Sequence, residues 1–134
     1  MELLIGSVLA LSVCLFATVT GLDRDRAFYP TVAMVTASYY ALFAVMGGSI
    51  QVLAIEMIVV VLFVAASIAG FKSSLWLVVA VFAAHGAFDL VHGLFINNSG
   101  MPPWWPHFCV AFDVVAAGYL AWLLSRCKAH AAAI

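Results

Sequence analysis

Charged residues are scarce in this chain. It holds five Lys or Arg and six Asp or Glu among 134 residues, whereas 67% of the residues are hydrophobic. A chain of this length cannot bury so much apolar surface in one soluble core. The scarcity of charge therefore excludes an ordinary soluble domain, and the few basic residues form no patch for nucleic acid. The composition predicts an integral membrane protein.

Cysteine pairs and polar linkers are also lacking. The three cysteines, Cys14, Cys109 and Cys127, are odd in number and widely spaced, with no C-x-x-C motif. This spacing argues against a disulfide framework. The chain has no linker, internal repeat or low-complexity tract, so we expect one domain over residues 1–134.

Long apolar runs, by contrast, make up most of the chain. A helix needs roughly 20 apolar residues to cross a bilayer, and short connections separate about five such runs. They predict an all-α bundle of about five transmembrane helices, at residues 3–21, 28–46, 50–70, 75–96 and 105–124. Because the connections are short, sequential helices are expected to be antiparallel neighbours.

The basic residues predict how the bundle lies in the membrane. Arg24 and Arg26 separate the first two runs, Lys72 separates the third and fourth, and Arg126 and Lys128 follow the fifth. With five helices, all of them fall on one side, which the positive-inside rule assigns to the cytoplasm. The amino terminus is then expected outside and the carboxyl terminus in the cytoplasm.

The apolar runs contain no Lys or Arg, yet they contain three acids, Glu56, Asp89 and Asp113. A carboxylate in hydrocarbon is costly unless it is protonated or lies beside a cation. At a rise of about 1.5 Å per residue, the three acids lie roughly 10 to 12 Å below the outer face, as do Tyr39 and Tyr40. We therefore expect a polar layer in the outer half of the bilayer that handles protons or a metal ion.

The fourth run carries His85, Asp89 and His92 at i, i+4 and i+7, which places them on one helix face. Imidazole and carboxylate groups bind Zn, Fe, Mn and Cu. One straight helix cannot wrap all three around an ion, because i and i+7 are about 10 Å apart, so other helices must add ligands. A hydrogen-bonded stripe that only joins helices is the alternative. The candidate metal ligands are His85, Asp89, His92, Asp113, Glu56 and His107.

The same residues suit acid and base catalysis without a metal. Asp89 and His92 are the expected central pair, and a tyrosine hydroxyl is the expected proton donor. Differences in burial would make one carboxyl the acid and another the base. The candidate catalytic residues are Asp89, His92, Glu56, Asp113, Tyr39 and Tyr40.

The fourth and fifth runs resemble an uncharacterised family of small bacterial multi-pass membrane proteins, a domain of unknown function. The resemblance rests on the His85, Asp89 and His92 pattern, a proline-rich loop ending at Pro103 to Pro106, and then Cys109 and Asp113. It implies a shared fold, shared polar residues and a place in the bacterial inner membrane. It implies no mechanism, because the family has no established activity.

Three functions fit these features, and the sequence does not decide whether the protein is an enzyme. The first is a metal-dependent or acid/base enzyme acting on a lipid-like or small hydrophobic substrate. The second is a carrier of protons or divalent metal, which would need a homo-oligomer because five helices make a thin wall for a pathway. The third is a small subunit of a larger membrane complex in which a histidine binds haem or a pigment. Membrane lipids are expected partners in each case.

Overall fold

The chain forms five long helices. The computed structural model describes residues 1–131, with their side chains up to Arg126. Each helix is long and apolar enough to cross a membrane, which confirms the prediction of an all-helical, multi-pass membrane protein. The helices are α1 (Glu2–Thr20), α2 (Phe28–Met46), α3 (Ile50–Lys72), α4 (Leu75–Phe95) and α5 (Trp105–Ala131).

The helix ends follow local sequence signals. Gly21 adopts a left-handed conformation (φ 79°) that ends α1, a geometry that glycine allows without a Cβ penalty. The Ser49 and Ser74 hydroxyls accept hydrogen bonds from backbone N–H groups in the first turns of α3 and α4, as N-cap serines commonly do. The fifth helix runs past the predicted residue 124 because the chain there has no helix breaker and is rich in alanine.

Helix α4 lies in the middle of the bundle, in contact with α2, α3 and α5. Helix α1 packs along α5 instead of packing closely on α2, its neighbour in sequence. Helices α1 and α5 are parallel, because Gly6 lies against Phe108 and the Thr18 hydroxyl lies 2.9 Å from that of Tyr119. The expectation that all sequential helices would be close neighbours was therefore wrong for α1 and α2.

The reason lies in the inward face of α1, whose buried residues are all small. They are Gly6, Ala10, Cys14 and Ala17. A Cβ added at Gly6 would lie 2.3 Å from the backbone oxygen of Phe108, so only glycine fits there. Small residues let two backbones approach closely, which is how helices associate where lipid removes the hydrophobic driving force.

The two ends of the bundle differ in charge. The connection after α1 meets the connection after α3, where the Arg26 guanidinium donates to the Ser73 carbonyl at 3.1 Å. This end, called the basic end, also carries Arg24, Lys72 and Arg126. At the opposite end, called the loop end, the α2–α3 and α4–α5 connections touch where Gly47 lies against Ser99 and Gly100.

Apolar side chains dominate one half of the interior, and the buried histidines and acids lie in the other half. The half toward the basic end is filled by side chains such as Val78, Phe82 and Leu120, none more than 1% exposed. The buried histidines and acids occupy the half toward the loop end. Large apolar side chains cover the outside, including Leu94, which is 80% exposed. Such a surface is stable against lipid but not in water.

Candidate metal centre

The polar face of α4 points into the bundle along its length. His85, Asp89 and His92 are each at most 2% exposed. Their spacing puts them on one face, and that face meets α2, α3 and α5 because α4 is the central helix. Each therefore meets a polar side chain from a different helix or loop.

His85, Asp89 and Asp113 form the acid cluster, between α4 and α5. The Nδ1 atom of His85 lies 2.6 Å from Oδ2 of Asp113 and 3.5 Å from Oδ2 of Asp89. One ligand atom from each residue lies within 4.8 Å of the other two, a spacing at which the three could hold a metal ion. Two carboxylates and one imidazole are ligand types that divalent transition metals accept.

Glu56, His92 and Asn98 form a second group, the loop cluster. The Nε2 atom of His92 lies 2.8 Å from Oε1 of Glu56. The Asn98 side-chain amide donates to the same oxygen at 2.9 Å and to the backbone carbonyl of Tyr40 at 3.0 Å. Asn98 belongs to the α4–α5 connection, so a loop residue closes this cluster at the loop end.

Tyr40 connects the two clusters. Its hydroxyl donates to Oδ1 of Asp89 at 2.5 Å. Its ring stacks on His92, with centroids 4.1 Å apart and planes 19° from parallel. Because one rigid side chain contacts both groups, a change in the position or charge of one is transmitted to the other.

Aromatic rings enclose the remaining faces of the histidines. Phe63 of α3 meets the His85 ring edge-on at 4.9 Å, and Phe88 meets the His92 ring at 5.4 Å. These contacts exclude water from the sides that face α3. A low local dielectric strengthens every interaction among the charged groups and increases the cost of any that is unpaired.

Several buried polar atoms have no hydrogen-bond partner among the described residues. Five of these seven atoms belong to the two clusters and are lone-pair acceptors when the groups are unprotonated; the other two, the Tyr29 hydroxyl and the Trp105 indole N–H, lie outside the clusters. An unpaired buried acceptor costs about 1–3 kcal/mol, so five in one place favour the binding of protons or a cation here. The five are Oε2 of Glu56, Oδ2 of Asp89, Nδ1 of His92, Oδ1 of Asn98 and Oδ1 of Asp113.

The charges of the two clusters do not balance by themselves. Among the described buried residues are three carboxyl groups and two imidazoles, and no Lys or Arg. With all three acids ionised, even two protonated histidines leave a net charge of −1, which is costly in an apolar interior. One divalent cation on the acid cluster, together with a His92–Glu56 ion pair, brings the sum to zero. The donor set therefore fits a divalent metal.

Two predicted site residues lie outside both clusters. His107 is exposed in the first turn of α5, because the helical twist places it about 120° round from Asp113. Tyr39 is half-buried against Phe43 and Trp105, since it lies about 100° round the helix from Tyr40. The structure brings neither into contact with Glu56, Asp89 or Asp113, which corrects the expectation that His107 would join the metal ligands.

Two neighbouring residues have more prominent places than the sequence suggests. In the sequence, Asn98 looks like an ordinary polar loop residue, yet it is only 6% exposed and its side-chain amide donates a hydrogen bond to Glu56. Its sequence signal is its position just after the helix that carries the histidines, at the loop end. Cys109 is 2% exposed and lies one helical turn before Asp113, on the same face of α5. Its other side borders a lipid-facing groove between α1, α2 and α5. The prediction that the cysteines form no disulfide framework includes Cys127, whose side chain lies outside the described part of the structure.

Comparisons with known proteins add no relative. No protein-family model, curated protein or solved structure matches this chain. The resemblance to a bacterial membrane family stays a prediction, and the case for function rests on the geometry of the two clusters.

Proposed function

We propose that the protein is a membrane-embedded, metal-dependent enzyme that acts on a lipid-like molecule. The observation that carries the proposal is the surplus of negative charge at the acid cluster. His85, Asp89 and Asp113 supply three ligands of suitable type within 4.8 Å of one another. A divalent ion would replace the proton shared by His85 and Asp113, and it would supply Lewis-acid activation of water or of a carbonyl oxygen.

The other residues of the site hold and move protons. Tyr40 donates to Asp89 and so fixes the orientation of that carboxylate. The His92 imidazole and the Glu56 carboxylate, 2.8 Å apart, can share a proton near the loop end. Carboxyl and imidazole groups in such contact are the common acids and bases of enzymes.

The substrate class follows from the surroundings of the acid cluster. The loop cluster and the aromatic rings cover it from the loop end and from α3. On the side of α1 and α2 lies an open, lipid-facing groove whose lining includes Cys109 and Phe112 of α5. We therefore infer that a substrate would approach the centre from the bilayer on this side and not from water.

The orientation belongs to the same proposal. Arg24, Arg26 and Lys72 gather at the basic end, and the positive-inside rule places that end in the cytoplasm. The amino terminus and the loop end are then outside. In a bacterial inner membrane, the site would lie in the outer leaflet.

Carriage of protons or a divalent cation is the second candidate. It is favoured by the row of polar contacts that runs from Asn98 through His92 and Tyr40 to the acid cluster. The row stops at His85, because Val78, Phe82 and Leu120 fill the half toward the basic end. A single copy thus has a blind site, and passage across the membrane would require an oligomer or a larger complex.

Metal content tests the proposal. Protein purified in detergent should retain one divalent ion per chain, and Asp89→Asn should lose it. Glu56→Gln is the matched control, because it changes a buried acid of the loop cluster, and it should keep the ion. A metal-free wild type, or equal loss in both variants, would remove the metal centre.

Turnover tests the enzyme. Wild-type protein incubated with a bacterial lipid extract should change its lipid composition, as measured by mass spectrometry, and a chelator should stop the change. Metal or proton flux in proteoliposomes without any lipid product would favour carriage instead.

A further inference from the structure

A shallow groove lies on the outer surface of α1 and α5 and extends from the middle of the bundle toward the basic end. It is called the Gly118 groove, and it is lined by Leu11, Val115, Gly118, Tyr119 and Trp122. Its volume is about 370 Å³, within the range of about 300–1,000 Å³ usual for small-molecule pockets. From Val115 to Trp122 it follows α5 for about 10 Å, at a rise of about 1.5 Å per residue. This length accommodates part of an acyl chain.

Gly118 leaves an open space in the groove. A Cβ added there would have no atom within 4 Å, whereas a Cβ added at Gly6 or Gly86 would lie against α5. Glycine weakens the interior of a helix relative to alanine. Because no described helix packs into the space at Gly118, contacts within the chain do not account for this glycine. The space is available to a molecule from the bilayer.

A cation stands at the basic end of the groove. The Arg126 guanidinium lies over the Trp122 ring, 4.3 Å from its centroid, and this contact holds the charge beside the groove. Among the described residues, no carboxylate oxygen lies within 4 Å of the Arg126 nitrogens and none accepts a hydrogen bond from them. The N–H groups of Arg126 are therefore available to an anion.

Arg126 lies at the depth where lipid phosphates occur. It ends the membrane-spanning part of α5, Trp105–Arg126, which has 22 residues. At about 1.5 Å per residue this part is about 33 Å long, slightly more than the hydrocarbon core of about 30 Å. The guanidinium is thus at the level of the headgroups, and its planar fork matches two oxygens of a phosphate.

The other charges at this end also favour an anion. The basic residues there are Arg24, Arg26, Lys72 and Arg126, against the two acids Asp23 and Asp25. Both acids accept hydrogen bonds within the chain, Asp23 from the Thr18 hydroxyl and Asp25 from the Ala27 N–H. The excess of basic residues attracts anionic lipid.

A second copy of the chain fits the same surface poorly. Two copies in one membrane share an orientation, so a twofold interface at Gly118 would bring both Arg126 guanidinium groups to the same depth. Like charges that face each other repel. A phospholipid supplies the opposite charge instead.

We propose that the Gly118 groove binds one anionic phospholipid, with its phosphate on Arg126 and an acyl chain across Gly118 toward Leu11 and Val115. A zwitterionic lipid has the same phosphate and chains, but its own cation would lie near Arg126 and weaken binding. The groove lies toward the end of the bundle opposite the loop end, so this lipid site does not depend on the proposed metal centre.

Native mass spectrometry of the detergent-purified chain tests the binding. With added phosphatidylglycerol the protein should retain one molecule, and phosphatidylcholine with the same acyl chains should be retained about fivefold less. Arg126→Gln should lower phosphatidylglycerol retention about tenfold, the value of one charged hydrogen bond, and abolish the preference. Lys72→Gln removes one exposed charge from the same end. It is the matched control and should leave retention unchanged.

Filling the groove is the second arm. Gly118→Leu should fold normally, because a Cβ there meets no atom within 4 Å, and it should lower phosphatidylglycerol retention about tenfold. Gly93 on α4 has the same open space, but it lies at the loop end, where the described residues include no Lys or Arg. Gly93→Leu is therefore the matched control and should have no effect.

Four results would each overturn the proposal. The first is equal retention of the two lipids by the wild type. The second is an equal effect of either variant and its control. The third is displacement of phosphatidylglycerol by inorganic phosphate, which would show that the acyl chain contributes nothing. The fourth is a dimer that Gly118→Leu dissociates and added phosphatidylglycerol does not, which would show that a second copy occupies the groove.

Discussion

The acid cluster and the loop cluster both combine carboxyl and imidazole groups, but they differ in charge balance. In the loop cluster, one carboxylate faces one imidazole, and the Asn98 amide N–H donates to the same oxygen of Glu56. In the acid cluster, one imidazole faces two carboxylates. The loop cluster can become neutral by a proton transfer between its carboxyl and imidazole groups, whereas the acid cluster needs an added positive charge. Under the proposed function, the acid cluster would hold the ion, whereas the loop cluster would stabilise the fold as well as hold a proton.

The positions of the two clusters in the bundle support the same division of roles. The loop cluster ties α3, α4 and the α4–α5 connection together through Asn98. The acid cluster joins only α4 and α5, two helices that already pack extensively against each other. Loss of the loop cluster should therefore affect stability most, and loss of the acid cluster should affect ion binding most.

The largest expected effect comes from breaking the pair in the loop cluster. Glu56→Leu leaves the His92 ring and the Asn98 amide without their shared acceptor, and it should lower the free energy of unfolding by about 3–5 kcal/mol. Glu56→Gln keeps an acceptor and should cost only about 1 kcal/mol. Unfolding in detergent mixed with dodecyl sulfate measures both. Equal losses would show that the hydrogen bonds of Glu56 do not matter.

Removing a carboxylate from the acid cluster should affect metal more than folding. In Asp113→Asn the amide oxygen still accepts from His85, but the negative charge is gone. We expect metal affinity to fall by more than about a hundredfold, because the loss of a direct ligand should cost more than the loss of a residue that only hydrogen-bonds to a ligand. Titration of the metal-free protein with Zn²⁺ measures this. Unchanged affinity would mean that Asp113 is not a ligand and that the two clusters do not differ as argued.

A smaller effect should follow from Asn98→Leu. The change removes the donor to Glu56 and to the Tyr40 carbonyl, and leaving these buried acceptors with one partner fewer should cost about 1–3 kcal/mol. Metal affinity should stay within a few-fold of the wild type. Asn97→Leu, one residue earlier in the same connection and exposed, is the control and should have little effect.

The smallest loss of stability is expected for a change at Tyr40, whose side chain contacts both clusters. Tyr40→Phe removes the hydroxyl that donates to Asp89 and keeps the ring on His92, so it should cost about 1 kcal/mol of stability. Metal affinity should fall about tenfold because Asp89 loses its orienting partner. If both properties were unchanged, the clusters would be independent of each other.

The helices and the depth of the polar layer could be predicted from the amino-acid sequence. Continuous apolar runs of about 20 residues have one stable form in a bilayer. Constant rise along each helix then brings Glu56, Asp89 and Asp113 to similar heights. The i, i+4, i+7 spacing also places His85, Asp89 and His92 on one face.

The pairing of those residues could not be predicted, because it depends on how each helix is rotated and which helices touch. Asp113 meets His85 because α5 lies beside α4, whereas His107 on the same helix turns away. Asn98 enters the loop cluster because the α4–α5 connection folds inward, as shown by Gly100, where a Cβ would lie 2.0 Å from the Phe43 carbonyl oxygen. No local pattern encodes either contact.

The amino-acid sequence by itself thus determined that this is a five-helix membrane protein with uncompensated acids in one half of the bundle, since hydropathy and helical rise are local properties. The tertiary structure alone decided that these acids divide into a balanced pair and an acid-rich cluster, and that a groove lies beside the latter. The clusters depend on how α3 and α5 pack against α4, and the groove depends on how α1 packs against α5. Packing is a property of surfaces that the chain acquires only when it folds.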